Sequence, residues 1–349
     1  GSEMCIRDRN IAEAFAYRKE SVFPQGILSK QQKRIQEKEY PYELIKLDRD
    51  EKGIFAKRTN KLPITRFPVD KKQTDKTGTI VVWERPVKNP EFGAYYASID
   101  PVSEGKTTTS DSLCSIFVYK NATEVTRTTA AGDVEQFIEK DKVVAAWCGR
   151  FDDINKTHER LELIIEWYNA WTLVENNISL FIQHMIARKK QRYLVPKQQI
   201  LFLKDLGSNR TVYQEYGWKN TGTLFKSHLI SYAIEFLREV IDEETDINGV
   251  VTNQTLGVER IPDPMLIKEM LAYYPGLNVD RLVAFGALIA FVKIQQSNRG
   301  YSKRRESEDN SLVNSEKFTK LKYSPFKNIG QNKSTNSSRP RRSGFKNYK

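Results

Sequence analysis

Three acidic residues stand where a metal-assisted hydrolysis would need them: Asp100, Glu175 and Asp280. Asp100 closes the run Tyr95-Tyr96-Ala97-Ser98-Ile99-Asp100-Pro101, which alternates as a strand. Ala97 and Ile99 fall on one face, and Tyr96, Ser98 and Asp100 on the other. Pro101 cannot donate to a sheet ladder, so the strand should stop there and leave Asp100 at its carboxyl end. That rim is where sheet-and-helix folds build their sites. Glu175 follows Thr172-Leu173-Val174, a second short apolar run; if the two strands are neighbours, the two acids share one rim. Asp280 opens an otherwise apolar helical run, in which positions 280, 284, 287 and 291 share a face. Carboxylates converging from separate elements can hold two hard cations roughly 3.5–4 Å apart, one activating water and the other stabilising a leaving oxygen, as phosphodiester hydrolysis requires.

Each acid also has a plainer reading. Asp100 could be a turn residue, Glu175 an acid placed to favour the dipole of a following helix, and Asp280 a first-turn acid behind an Asn278 cap. Their joint placement favours the chemical reading. Asp111 is a fourth candidate, either a metal ligand facing Asp100 across a hairpin or a turn residue in Thr-Ser-Asp-Ser. Asp152 and Asp153 read as helix-capping acids. Lys226 and His228 begin a helix and could approach a phosphate, or simply be solvated. Ser103-Glu104-Gly105-Lys106-Thr107 contains Gly-Lys-Thr but is no P-loop: Asp100 stands where G-x-x-x-x-G-K-[ST] needs its first glycine, and a strand follows instead of a helix.

The elements that must position these residues alternate. Strands are predicted at 95–100, 113–119, 142–148 and 171–174, with 121–141 a hairpin insertion or a loop. Helices are predicted at 154–169, 178–188, 226–239 and 279–295, and an acidic, Asn/Gly-rich loop at 242–257. This pattern suggests an α/β sheet with helices on its faces. Ahead of it, 11–20 reads as a short helix, 42–47 and 53–57 as a hairpin and 79–84 as a strand, within a polar lead-in of about 90 residues without an obvious core. Gly1-Ser2 reads as a vector remnant, and the abrupt start resembles the back end of something longer.

Composition bounds the rest. With 349 residues and 39% hydrophobic content the chain can hold one large domain or two modest ones. Mean hydropathy is −0.59, and no apolar run approaches a membrane span, so a soluble, intracellular protein is expected. Three cysteines at scattered spacings and three histidines argue against a disulfide framework or a zinc site. The net charge of +12 is localised: residues 298–349 carry 14 Lys/Arg against 4 Asp/Glu, leaving +2 for the preceding 297 residues. The tail is therefore expected to be a disordered, basic arm.

The segments Ala97-Ser98-Ile99-Asp100-Pro101, Ser110-Asp111-Ser112, Ala146-Trp147-Cys148-Gly149-Arg150, Leu173-Val174-Glu175-Asn176-Asn177 and Asn278-Val279-Asp280-Arg281-Leu282, in this order, resemble the nuclease domain of a tailed-bacteriophage large terminase subunit. The 121–141 insertion and basic tail are similar in style to terminases of crAss-like phages. The resemblance implies an RNase H-like mixed sheet over 91–297, with 1–90 as a lead-in that includes the trailing edge of an ATPase domain and 298–349 as a flexible tail. It further implies two Mg²⁺ or Mn²⁺ ions held by Asp100, Glu175 and Asp280, Asp111 as an accessory acid, and cleavage of concatemeric double-stranded DNA. Implied partners are the portal protein and the small terminase subunit, in the cytoplasm of an infected bacterium and transiently at the procapsid portal. Arg304, Arg305, Arg341 and Arg342 could add salt-sensitive DNA affinity or dock the tail on another packaging protein. Two other readings compete: a recombination nuclease or transposase of the same superfamily, and a non-catalytic DNA-binding or portal-docking module whose acids are structural.

Overall fold

The computed structural model describes residues 21–37, 39–67, 75–105, 112–128, 133–197, 215–219, 223–247, 249–274, 276–299 and 302–307. The chain first forms helix α1 (Gln25–Gln36), the hairpin of β1 (Glu43–Asp50) and β2 (Gly53–Arg58), and the short β3 (Ile80–Val82). Next come β4 (Tyr95–Asp100) and β5 (Cys114–Lys120), a second hairpin of β6 (Thr123–Thr128) and β7 (Val134–Glu139), and β8 (Lys142–Gly149). Helix α2 (Ile154–Tyr168) leads to β9 (Trp171–Val174), and α3 (Leu180–Ala187) follows. Helix α4 (Thr223–Arg238), the hairpin of β10 (Val240–Thr245) and β11 (Val251–Leu256), α5 (Pro264–Ala272), α6 (Asp280–Arg299) and β12 (Ser302–Ser307) complete the described elements. The main sheet runs β2-β1-β3-β8-β5-β4-β9. Its neighbours are antiparallel except for β4 and β9, which the crossover through α2 makes parallel.

Strand periodicity builds two cores, one on each face. Ala97, Ile99, Ile116, Val118 and Val144 pack against α2 and α3, whose Leu161, Ile165 and Phe181 are fully buried. Tyr96, Phe117, Tyr119, Ala146 and Leu173 point the other way, against α4, α5 and α6. Because both faces are covered, β4, β5 and β9 are buried almost throughout and largely apolar, and burying each large apolar side chain contributes about 1.5–3 kcal/mol. Helix α6 is deeply buried along its middle: Ala284, Phe285, Leu288, Ile289, Ala290 and Phe291 are all at 0% exposure, which is why that part of its sequence lacks a polar stripe. Gly286 lets it meet α4 closely, since a Cβ there would sit 3.0 Å from Leu229 Cβ.

Three expectations change, and helix α1 is added to them. The described part of the 1–90 lead-in is not a separate segment, because β1, β2 and β3 are hydrogen-bonded into the main sheet and Ile45, Leu47 and Ile80 lie in its core. The polar Lys-rich stretch after residue 25 is helix α1, anchored by buried Leu28 and by Gln31 Nε2, which donates to Ile261 O at 2.8 Å. The expected loop at 242–257 is the β10–β11 hairpin, held by backbone ladder bonds that need no apolar side chains. The tail is ordered at its start, where β12 pairs in parallel with β6. The insertion forms a hairpin, as one of its two readings had it. The helix expected at 11–20 and the tail from 308 onward lie outside the described residues.

Candidate functional site

The first two acids meet through backbone register. β4 and β9 pair so that Ile99 lies beside Val174, and Glu175 N–H donates to Ile99 O at 3.0 Å. Asp100 and Glu175 are therefore adjacent at the carboxyl ends of parallel strands. Strand parity puts Asp100 with Tyr96, and Glu175 with Trp171 and Leu173, on the face that α6 covers. Asp100 is half-buried and Glu175 is 6% exposed. Beyond Glu175, Asn176 N–H donates to Trp218 O at 2.5 Å and its side-chain amide to Tyr216 O at 2.9 Å, closing the rim with the segment 216–218. Gly217 is required there: its φ is +71°, and a Cβ would lie 2.2 Å from Val174 O. Asn177 Nδ2 donates to Glu175 Oε1 at 2.6 Å and orients the carboxylate.

Asp280 arrives from the third element. Phe291 packs against Tyr96 and Trp171, with ring centroids 5.2 and 5.4 Å away, so this part of α6 lies over the starts of β4 and β9. Eleven residues earlier, about 16 Å along the helix, Asp280 reaches the opposite rim. There its Oδ2 accepts from Leu113 N–H at 2.8 Å, at the entry to β5, and from Asn278 Nδ2 at 3.4 Å. Asn278 thus contacts Asp280 directly. The neighbouring Cys114 thiol is pushed well up by burial, and then by the charges of Asp100, Cys148 and Asp280.

Three supporting residues have no role assigned from the sequence: Arg150 and Arg281 enter only within the segments that carry the resemblance, and Glu269 does not enter. Arg150, 5% exposed after β8, donates from Nη1 to Ser112 O at 3.1 Å and from Nε to Gly105 O. It ties together the two described ends of the β4–β5 connection, which carries Asp111. Arg281 Nη1 pairs with Glu269 Oε1 of α5 at 2.9 Å, and Nη2 donates to Ile64 O at 2.9 Å. Glu269 Oε2 in turn accepts from Leu282 N–H at 3.1 Å, holding the first turn of α6 and with it Asp280. Burial raises the Glu269 carboxyl to about 7, only partly offset by Arg281. Burial opposes the Arg281 charge, but Cys148, Glu269 and Asp263 outweigh it and raise its pKa, so the guanidinium stays charged. The available signal was an arginine directly beside the candidate acid.

The other candidates stand elsewhere or outside view. Asp111 lies outside the described residues, as do Arg341, Arg342 and the side chains of Lys226, Arg304 and Arg305. His228 is exposed on α4, and none of its described contacts joins it to the carboxylates. The backbone of Arg304 and Arg305 pairs with Val125 and Thr126 of β6. That strand leaves the β5 end beside Tyr95, the opposite end of β4 from Asp100. Asp153 caps α2, accepting from Asn155 N–H at 2.9 Å, as its position predicted. No helix among the described residues is long and apolar enough to cross a membrane.

As a donor set, three carboxylates suit hard, oxygen-seeking Mg²⁺ or Mn²⁺ rather than thiophilic metals. Among the described residues, no three His, Cys, Asp or Glu side chains form a group that could hold a metal ion. Asp280 Oδ2 is engaged by Leu113, so ion binding there would compete with that bond. Comparison of the chain with protein-family models, curated proteins and solved structures finds no match.

Proposed function

We propose that this chain is a metal-dependent DNA endonuclease with an RNase H-like core, the nuclease part of a tailed-phage large terminase. The observation that carries this reading is the convergence of three elements on one rim: Asp100 from β4, Glu175 from β9 and Asp280 from α6. The strand order β8-β5-β4-β9, a meander followed by a helical crossover to a parallel strand, supports the RNase H-like assignment. Bound divalent ions would supply an activated water and charge stabilisation for the leaving oxygen. Asp100, on the strand between β5 and β9, would hold them together with Glu175 and Asp280. Asn177 orients the Glu175 carboxylate, while Glu269 and Arg281 hold the turn that presents Asp280. Arg150 ties Gly105 to Ser112, the two described ends of the β4–β5 connection. Sequence preference should be low, because phosphate contacts position a duplex without reading it.

The proposed setting is genome packaging in the cytoplasm of an infected bacterium, with double-stranded DNA, portal protein and small terminase subunit as partners. The test is plasmid cleavage with Mn²⁺, Mg²⁺ or EDTA, comparing wild type with Asp100→Asn. Cleavage should need the metal and fall at least 100-fold in the variant; cleavage that persists would remove Asp100 from the chemistry. The hydrogen bond from Leu113 N–H to Asp280 favours a second reading, in which this acid is structural and the chain is a DNA-binding or portal-docking module. In that case DNA binding would survive Asp280→Asn, and no metal-dependent cutting would occur in either protein.

A further inference from the structure

Arg150 and Asp280 bond to the two ends of one peptide group. Arg150 Nη1 donates to Ser112 O at 3.1 Å, and the N–H of the same peptide, that of Leu113, donates to Asp280 Oδ2 at 2.8 Å. The carbonyl and N–H of one peptide share a rigid plane, so a donor that fixes the first also fixes the second. A guanidinium stands at one end of this chain and a carboxylate at the other, and hydrogen bonds in such a chain strengthen one another. The arginine is firmly placed for this. It is 5% exposed, its own N–H donates to Lys76 O at 2.7 Å, and its Nε donates to Gly105 O. Burial lowers its pKa, and the charges of Glu104 and then Asp280 act against that. Asn278 Nδ2 approaches both Asp280 Oδ2 and Ser112 Oγ at 3.4 Å. Leu113 and Asn278 thus converge on one oxygen and set the rotation of the carboxylate. Glu269 and Arg281 hold the turn that carries Asp280, whereas Arg150 acts on its carboxylate.

We infer that Arg150 is a positioning residue for Asp280, acting through the Ser112–Leu113 peptide to orient the carboxylate toward a divalent ion. An ion at Oδ2 would compete with Leu113, so the oriented carboxylate serves the ion through Oδ1. The role toward the metal rests on the nuclease reading; the relay through the peptide does not. Two measurements on the full chain keep them apart. In urea unfolding, Arg150→Gln should shift the midpoint roughly half as much in Asp280→Ala as in the wild type, because the two side chains share one peptide. In calorimetric titration with Mn²⁺, Arg150→Gln should weaken binding about ten-fold, as loss of a group behind a metal ligand does. Glu162→Gln, which loosens the opposite face of the sheet, should leave Mn²⁺ affinity unchanged. Arg150→Lys keeps the charge and one donor; should the glutamine variant not fold, it enters both measurements with smaller shifts in the same direction. Additive urea midpoints, or Mn²⁺ binding in the Arg150 variant as tight as in the wild type or tighter, would each overturn the assignment. A wild type that binds no Mn²⁺ would remove the nuclease reading instead, and the unfolding cycle would still decide the relay.

Discussion

Two glutamates, each 2% exposed, sit on opposite faces of the same sheet and are treated in opposite ways. Glu162, on α2, receives Lys190 at 2.5 Å, His184 at 2.7 Å, and Arg49 and Arg188 at 3.4 Å. Burial would raise its pKa, but hydrogen bonds from His184 and Lys190 and the nearby cations prevail and hold it at about 2. Glu269, on α5, has one guanidinium and one backbone N–H, and burial takes it to about 7. Equal exposure thus goes with opposite shifts: Glu162 lies at a shallower depth and meets four basic side chains, whereas Glu269 is enclosed more deeply with one. The well-supplied carboxylate joins α2 to α3 and β1, while the sparsely supplied one stands behind the candidate site and steadies Asp280.

The largest expected break in this comparison is Glu269→Leu. It strands the Arg281 charge in the interior and should cost about 3–5 kcal/mol in urea unfolding, whereas Glu269→Leu with Arg281→Met should recover most of that loss. Glu162→Gln should cost less, about 1–3 kcal/mol, because its partly exposed cations can turn to water. If the two single substitutions cost the same, the difference between the faces is not electrostatic.

Titration sharpens the same contrast. Glu162 is lowered from 4.5 to about 2, so its contribution is complete above pH 4.5 and is lost as pH falls toward 2. Glu269 is raised from 4.5 to about 7, so between those values the folded chain holds a proton that the unfolded chain has released, and stability falls as pH rises. Burial and then His184 lower His158 to about 4, so stability also drops as pH falls from 6.5 toward 4. Urea midpoints across pH should lose their acid-side slope below pH 4.5 in Glu162→Gln, and their decline from pH 4.5 to 7 in Glu269→Gln. The smallest effect belongs to the helix caps. Asp153→Ala, at an exposed cap, should cost about 1 kcal/mol, and Asp263→Ala, which strips a buried cap, should cost more.

Much of the strand framework was readable because its signals are local. The 95–100 run alternates and ends at Pro101, and β4 ends at Asp100. Asp153 before a helical stripe is a cap in both views. Helix α5 was missed although Asp263-Pro264 is a local start signal, with Asp263 as the cap and Pro264 at the first turn. Elsewhere the missing information was not local. Helix α1 looks polar because only a narrow face is buried, and the β10–β11 hairpin is polar because its ladder needs only backbone groups.

What the sequence determined by itself was the chemistry available and its place within each element: Asp100 at a strand end, Glu175 after a second strand, Asp280 at a helix start. Periodicity and proline act within a few residues, so a single chain can display them. Only the tertiary structure decided that β9 lies beside β4, that α6 brings its first turn to the same rim, and that Arg150, Glu269 and Arg281 brace it. It also drew β1, β2 and β3 into the main sheet and set β12 at the opposite end of β4 from Asp100. These are pairings between residues far apart in the chain, chosen by which faces must be buried and which backbone groups must be bonded, and no local pattern encodes them.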